Sequence, residues 1–72
     1  MQVGFIGTGS MGSILIKSLI QTGALLPKQI IASNRTLEKV KRLAAAYPGL
    51  QAADSNRHAA SESDLLFICV KP

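Results

Sequence analysis

Residues 4–13 read GFIGTGSMGS, and the spacing of their glycines decides the fold. Gly7, Gly9 and Gly12 match the pattern G-x-G-x-x-G. Before them, Gln2 to Ile6 is a short apolar run that breaks at Gly7, as a buried strand does on entering a turn. Behind them, Met11, Ile14, Leu15, Ile16, Leu19 and Ile20 recur at helical spacing and predict an amphipathic helix over Met11 to Thr22. A glycine turn that leaves a strand and opens a helix is the context in which this pattern holds a pyrophosphate. Gly7 would permit the tight turn, Gly9 the close approach of the phosphates, and Gly12 the packing of helix on strand. The unpaired N–H groups of the first helical turn, at the positive end of its dipole, would receive the anion. Glycine-rich turns also arise for steric reasons alone, and here the flanking elements favour the dinucleotide.

Beyond that helix, Gly23 suits its C-terminal cap and Pro27 lies in the connection. Gln29 to Ser33 reads as a second strand, and Thr36 as the N-cap of a helix over Leu37 to Tyr47. The apolar stripe of that helix is Leu37, Val40, Leu43, Ala44 and Tyr47. Pro48-Gly49 stops it, Leu50 to Ala53 is a weak third strand, and polar Asp54 to Ser63 has room for a short helix only. Leu65 to Val70, LLFICV, is continuously apolar, the pattern of a parallel strand covered on both faces.

Strands alternating with helices predict an α/β fold, a partial Rossmann-like doubly wound parallel sheet of about four strands in the order 3-2-1-4. The switch point then falls between the first and fourth strands. It brings the turn Gly7 to Gly12 and the segment Cys69 to Pro72 to one crevice. Two helices would cover one sheet face and only Asn56 to Glu62 the other, leaving that face largely bare. An exposed apolar patch of this kind invites association.

The second strand runs into Ala32-Ser33-Asn34-Arg35-Thr36. At this place, about 20 residues past the glycines, NAD sites carry an Asp or Glu on the ribose 2′-hydroxyl. A carboxylate would repel the extra phosphate of NADP, whereas the Arg35 guanidinium can pair with it and Ser33 and Asn34 can add donors. NADP(H) is therefore favoured over NAD(H). The competing reading leaves Arg35 as a solvated loop residue, and Lys39, one turn further on, is more readily explained as solvated.

Composition narrows the alternatives. A chain of 72 residues makes one small domain and is too short for separate cofactor and substrate lobes. At this size folding buries only about 60% of the unfolded chain's surface. Aromatic residues are 4% of the chain and Trp is absent, which argues against a stacking platform for single-stranded nucleic acid. The net charge of +4 suits a solvated surface or an anionic ligand. Cys69 is the sole cysteine, so an internal disulfide and a multi-cysteine metal site are excluded, and no metal ligand set is assigned. With no basic leader and no long apolar run, the expected location is cytoplasmic, without membrane or nucleic-acid partners.

Other chemistry-bearing residues have plain explanations. His58, in a polar segment with no spaced carboxylate partner, reads as a solvated helix residue. Asp54, Glu62 and Asp64 form no pair suited to acid–base work. Cys69 suits core packing, while Lys71 stands equally for a structural role and for contact with cofactor or substrate.

MQVGFIGTGSMGS, the ASNRT turn and the closing SDLLFICVKP together resemble the N-terminal half-domain of the pyrroline-5-carboxylate reductase family, including its late-competence-protein branch. The similarity runs over essentially all 72 residues. The glycine pattern is shared with 3-hydroxyisobutyrate and 6-phosphogluconate dehydrogenases; the ending Val70-Lys71-Pro72 separates this family from them. The resemblance implies reduction of 1-pyrroline-5-carboxylate to proline with hydride from NADPH or NADH. It further implies that Ile6, Gly7, Thr8, Gly9, Ser10 and Met11 line the pyrophosphate and ribose, and that Ser33, Asn34 and Arg35 surround the 2′-phosphate. Asn56 matches a position near the adenosine, and Cys69, Val70, Lys71 and Pro72 would lie against the cofactor. In the similar reductases, more of the cofactor domain and a helical C-terminal domain complete the substrate site and the dimer. Residues 1–72 are thus expected to be the N-terminal part of a dinucleotide-binding domain, truncated after the fourth strand, with no catalytic residue and no catalysis by themselves. They are expected to form a homo-oligomer or to contact the remainder of a longer protein.

Three functions follow: the cofactor-binding part of an NADP-linked oxidoreductase, a noncatalytic nucleotide-binding or regulatory relative, and a basic nucleic-acid-binding module. Only the positive charge speaks for the last.

Overall fold

A computed structural model of the chain describes residues 1–7 and 10–69, the side chains of Ser10 and Met11 excepted. Its elements are β1 (Val3–Ile6), α1 (Ser10–Gln21), β2 (Ile30–Ser33), α2 (Leu37–Ala46), β3 (Gln51–Ala52), α3 (Asn56–Ser61) and β4 (Leu65–Ile68). The strands form one parallel sheet in the order β3-β2-β1-β4, the doubly wound arrangement expected from the sequence. The expectations at Thr8, Gly9, Val70, Lys71 and Pro72 lie outside the described residues.

The pleat sorts the apolar residues between two layers. Val3 and Phe5 of β1, Ile30 and Ala32 of β2, and Leu50 beside β3 pack with Ile16 of α1 and Val40 of α2. On the opposite face, Ile31 and Ala53 pack with Ala59 of α3. β3 is only two residues long, and both are exposed; its flanks, Leu50 and Ala53, do the packing, one into each layer. A 3-10 turn over Pro27–Gln29, absent from the expectations, leads into β2. There the Leu26 N–H donates to Gln29 Oε1 at 2.9 Å.

Local chemistry accounts for the helix ends. α1 closes where the Gly23 N–H returns to the Ile20 carbonyl at 3.1 Å, and the Thr22 hydroxyl donates to the Ser18 carbonyl at 2.9 Å. α3 is short but capped, with the His58 N–H donating to Ser55 Oγ at 3.0 Å. Thr36 holds the N-cap position of α2, yet its side chain makes no capping bond.

Several details differ from expectation. Ile14, placed in the apolar stripe of the first helix, is 64% exposed. At about 100° per residue it lies nearly opposite Ile16, which is fully buried against the sheet. β4, whose unbroken apolar run suggested cover on both faces, is the edge strand outside β1. Leu65 is 48%, Phe67 37% and Ile68 65% exposed. The topology explains this, because α1 and α2 lie along the crossovers toward β2 and β3, while α3 packs on β1 and β2. The bare surface is therefore the β4 edge, on both sides of the pleat, and not one whole sheet face, since α3 buries Ile31 and Ala53.

Candidate functional site

The carboxyl ends of β1, β2 and β4 are laced together by main-chain bonds. The Gly7 N–H donates to the Ser33 carbonyl at 2.9 Å, and the Cys69 N–H donates to the Ile6 carbonyl at 2.7 Å. Register puts Ile6 between Ser33 and Ile68. The exit of the first strand thus lies beside the exits of the second and fourth, as the switch-point argument requires.

The glycines that flank the turn are constrained there. Gly7 has φ 85°, a left-handed backbone that side chains disfavour. At Gly12 a Cβ would run into the Gly7 carbonyl oxygen, a backbone atom, and would stand 3.4 Å from the Cys69 Cβ. The first turn of α1 consequently packs directly on the end of β1 and beside β4. No acidic residue lies in that first turn, so no carboxylate neutralises the positive end of the helix dipole.

After β2, the Arg35 N–H donates to Asn34 Oδ1 at 2.9 Å, a local bond that turns the chain into α2. Arg35 is exposed, and among the described residues neither its guanidinium nor the Lys39 ammonium has an ion-pair partner. Ser33 is buried. Its hydroxyl donates to Asn56 Oδ1 at 2.7 Å, joining the end of β2 to the first residue of α3 across 23 positions of sequence. Cys69 is a half-buried free thiol packed against the larger core cluster.

The structure brings Ile6, Gly7, Gly12, Ser33 and Cys69 together, with Asn34 and Arg35 following Ser33 directly and Asn56 held to it. The pairing of Ser33 with Asn56 was missed in the sequence, where nothing but topology could reveal it. His58 has a carboxylate partner after all: its Nδ1 lies 3.2 Å from Asp54 Oδ1, four residues earlier and just before the N-cap of α3. Both side chains are exposed, which makes this a surface pair of small energetic weight. Among the described residues no His, Cys, Asp and Glu cluster could hold a metal, and no helix is long and apolar enough to cross a membrane.

A protein-family model described as "NADP oxidoreductase coenzyme F420-dependent" matches residues 2–72. The chain belongs to that family. ComE operon protein 4 of Bacillus subtilis (strain 168) is 43% identical over 72 residues, covering 100% of this chain and 26% of the relative. Pyrroline-5-carboxylate reductase of Escherichia coli (strain K12) is 38% identical over 71 residues, with 99% and 26% covered. The enzyme of the same name from Methanosarcina acetivorans matches at 38% identity over 71 residues, again with 99% and 26% covered. The resemblance carried by the glycine turn, ASNRT and SDLLFICVKP is thereby borne out along the whole chain. The chain spans about a quarter of the length of these relatives. As a member of this NADP oxidoreductase family, with its glycine turn at the switch point of a parallel sheet, it is a nicotinamide dinucleotide-binding unit.

Proposed function

We propose that residues 1–72 are the NADP(H)-binding part of a cytoplasmic oxidoreductase that reduces 1-pyrroline-5-carboxylate in proline biosynthesis. The observation that carries the preference for NADP is Arg35: a cation without an ion-pair partner among the described residues stands at the exit of β2, where an NAD site has a carboxylate. The residues at hand fit the cofactor. The first turn of α1, free of carboxylates, would offer its main-chain N–H groups to the pyrophosphate. Asn34, Arg35 and the start of α2 would hold the 2′-phosphate, Asn56 would serve the adenosine, and the end of β4 at Cys69 would lie against the cofactor. When bound, the cofactor supplies the hydride; this chain's share is to bind and orient it.

Catalysis is assigned to the longer protein. Further strands beside β4 and a helical domain would complete the sheet and supply the substrate site, so residues 1–72 alone would bind dinucleotide without turnover. The open β4 edge supports this reading, as does the quarter-length match to the relatives. In the working protein that edge is covered, by a second copy or by further chain. A second reading is a noncatalytic nucleotide-binding or regulatory relative, competence-associated; the 43% identity to ComE operon protein 4, beside the 38% to the reductase of Escherichia coli, keeps it in view. Calorimetric titration with NADPH and NADH tests the cofactor assignment, tighter binding of NADPH being expected and a preference for NADH being contrary to it. Turnover of pyrroline-5-carboxylate by the full-length protein separates the two readings.

A further inference from the structure

We propose that Ser33 acts on the dinucleotide through Asn56, as a positioning residue, and does not itself touch the 2′-phosphate. This rests on the dinucleotide reading above and assigns the chemistry within that site.

Ser33 is 1% exposed, the one buried polar side chain among the described residues. A serine hydroxyl has a single proton to give. Here it goes to Asn56 Oδ1 at 2.7 Å. A phosphate dianion has no proton to offer in return, so Ser33 has no favourable bond to make with it while this one holds. The Ser33 carbonyl is likewise engaged, taking the Gly7 N–H at 2.9 Å. Ser33 therefore ties the glycine turn to α3 and spends its donor inside the protein.

What remains free is on Asn56. With Oδ1 held by Ser33, the other arm of the planar amide keeps both N–H donors, on a residue that is exposed. The reverse orientation, with the amide nitrogen donating to Ser33 Oγ, would leave the buried hydroxyl proton without an acceptor among the described residues, which is costly in a site closed to water. Ser33 thus fixes Asn56 as a donor where the start of α3 meets the end of β2. Its complement is a hydrogen-bond acceptor on the adenosine, a ribose oxygen or a ring nitrogen. Both are common to NADP and NAD.

Calorimetric titrations of the chain with NADPH and with NADH test this. Ser33→Ala is expected to weaken both by the same factor, about five- to tenfold, the range of a lost hydrogen bond. Asn56→Ala should match it, and the double variant should be no weaker than Asn56→Ala alone. A loss confined to NADPH, or losses that multiply in the double variant, would make Ser33 a direct ligand and overturn the proposal. Should Ser33→Ala fail to fold, Asn56→Ala decides, because it frees the Ser33 hydroxyl: unchanged affinity would sink the idea. The order parameter of the Asn56 side-chain amide, measured by NMR on the free chain, should fall in Ser33→Ala, and an unchanged value also counts against it. If the wild-type chain binds neither dinucleotide, the binding reading fails while the amide measurement still decides the positioning role.

Discussion

Phe67 of β4 stacks on Phe5 of β1, ring centroids 5.2 Å apart and planes 14° from parallel, yet Phe5 is fully buried and Phe67 is partly open to solvent. One ring belongs to the core and its neighbour to an edge. Truncating them should separate the two roles. Phe5→Ala is expected to cost roughly 3–5 kcal/mol, enough to unfold a domain of this size, and Phe67→Ala clearly less; thermal denaturation followed by circular dichroism compares them. Equal costs would mean that β4 is covered in solution.

The same edge predicts self-association. Leu65, Phe67 and Ile68 present apolar surface beside a strand whose outer hydrogen-bonding groups have no neighbouring strand among the described residues, and no charge or proline interrupts Leu65–Ile68. Sedimentation of the 72-residue chain should show concentration-dependent association, and Ile68→Lys should shift it toward monomer. A wild-type chain that stays monomeric at high concentration would remove the case for a covered edge.

Gly12 ties the fold to the site. A side chain there meets the Gly7 carbonyl and not a flexible group, so either α1 or the turn must move. Gly12→Ala should cost about 1–3 kcal/mol of stability and, if the turn holds the pyrophosphate that both cofactors share, weaken NADPH and NADH alike by more than tenfold. Retained affinity for both would show that the turn does not hold the phosphates.

How far the sequence disclosed the fold depended on whether a signal was local. The Gly23 cap and the two long helices rest on neighbours in the chain, and each lies within a residue or so of its expected place. The order of the strands followed as well, because right-handed crossovers leave few layouts. Burial of β4 was misjudged because an apolar run records what a strand can bury, while its actual cover depends on which helices reach it. Ile14 was misplaced for a related reason: the apolar stripe was drawn wide, and the sheet accepts the face centred on Ile16. In the candidate site, Ser33 and Asn56 were each legible by position, but their bond is set by how α3 returns over β2. The Asp54–His58 pair was within reach of an i, i+4 count, and its exposure leaves it little to do.

Arg35 carries the last prediction. Its N–H is fixed to Asn34, so the backbone at the exit of β2 is set by a bond that the guanidinium does not share. Replacing the side chain should therefore leave the fold intact and change only what it meets. A guanidinium on a phosphate contributes about 1.5–3 kcal/mol, which corresponds to a loss of roughly tenfold to a hundredfold for NADPH. NADH lacks that phosphate and should lose almost nothing. Arg35→Ala, titrated with both cofactors, should thus abolish the preference while thermal stability stays unchanged. Raising the salt concentration should erode NADPH binding by the wild type more than by the variant, since screening acts on the pair that the variant lacks. Equal losses for the two cofactors would return Arg35 to the solvated surface and leave the choice between NADP and NAD to other residues.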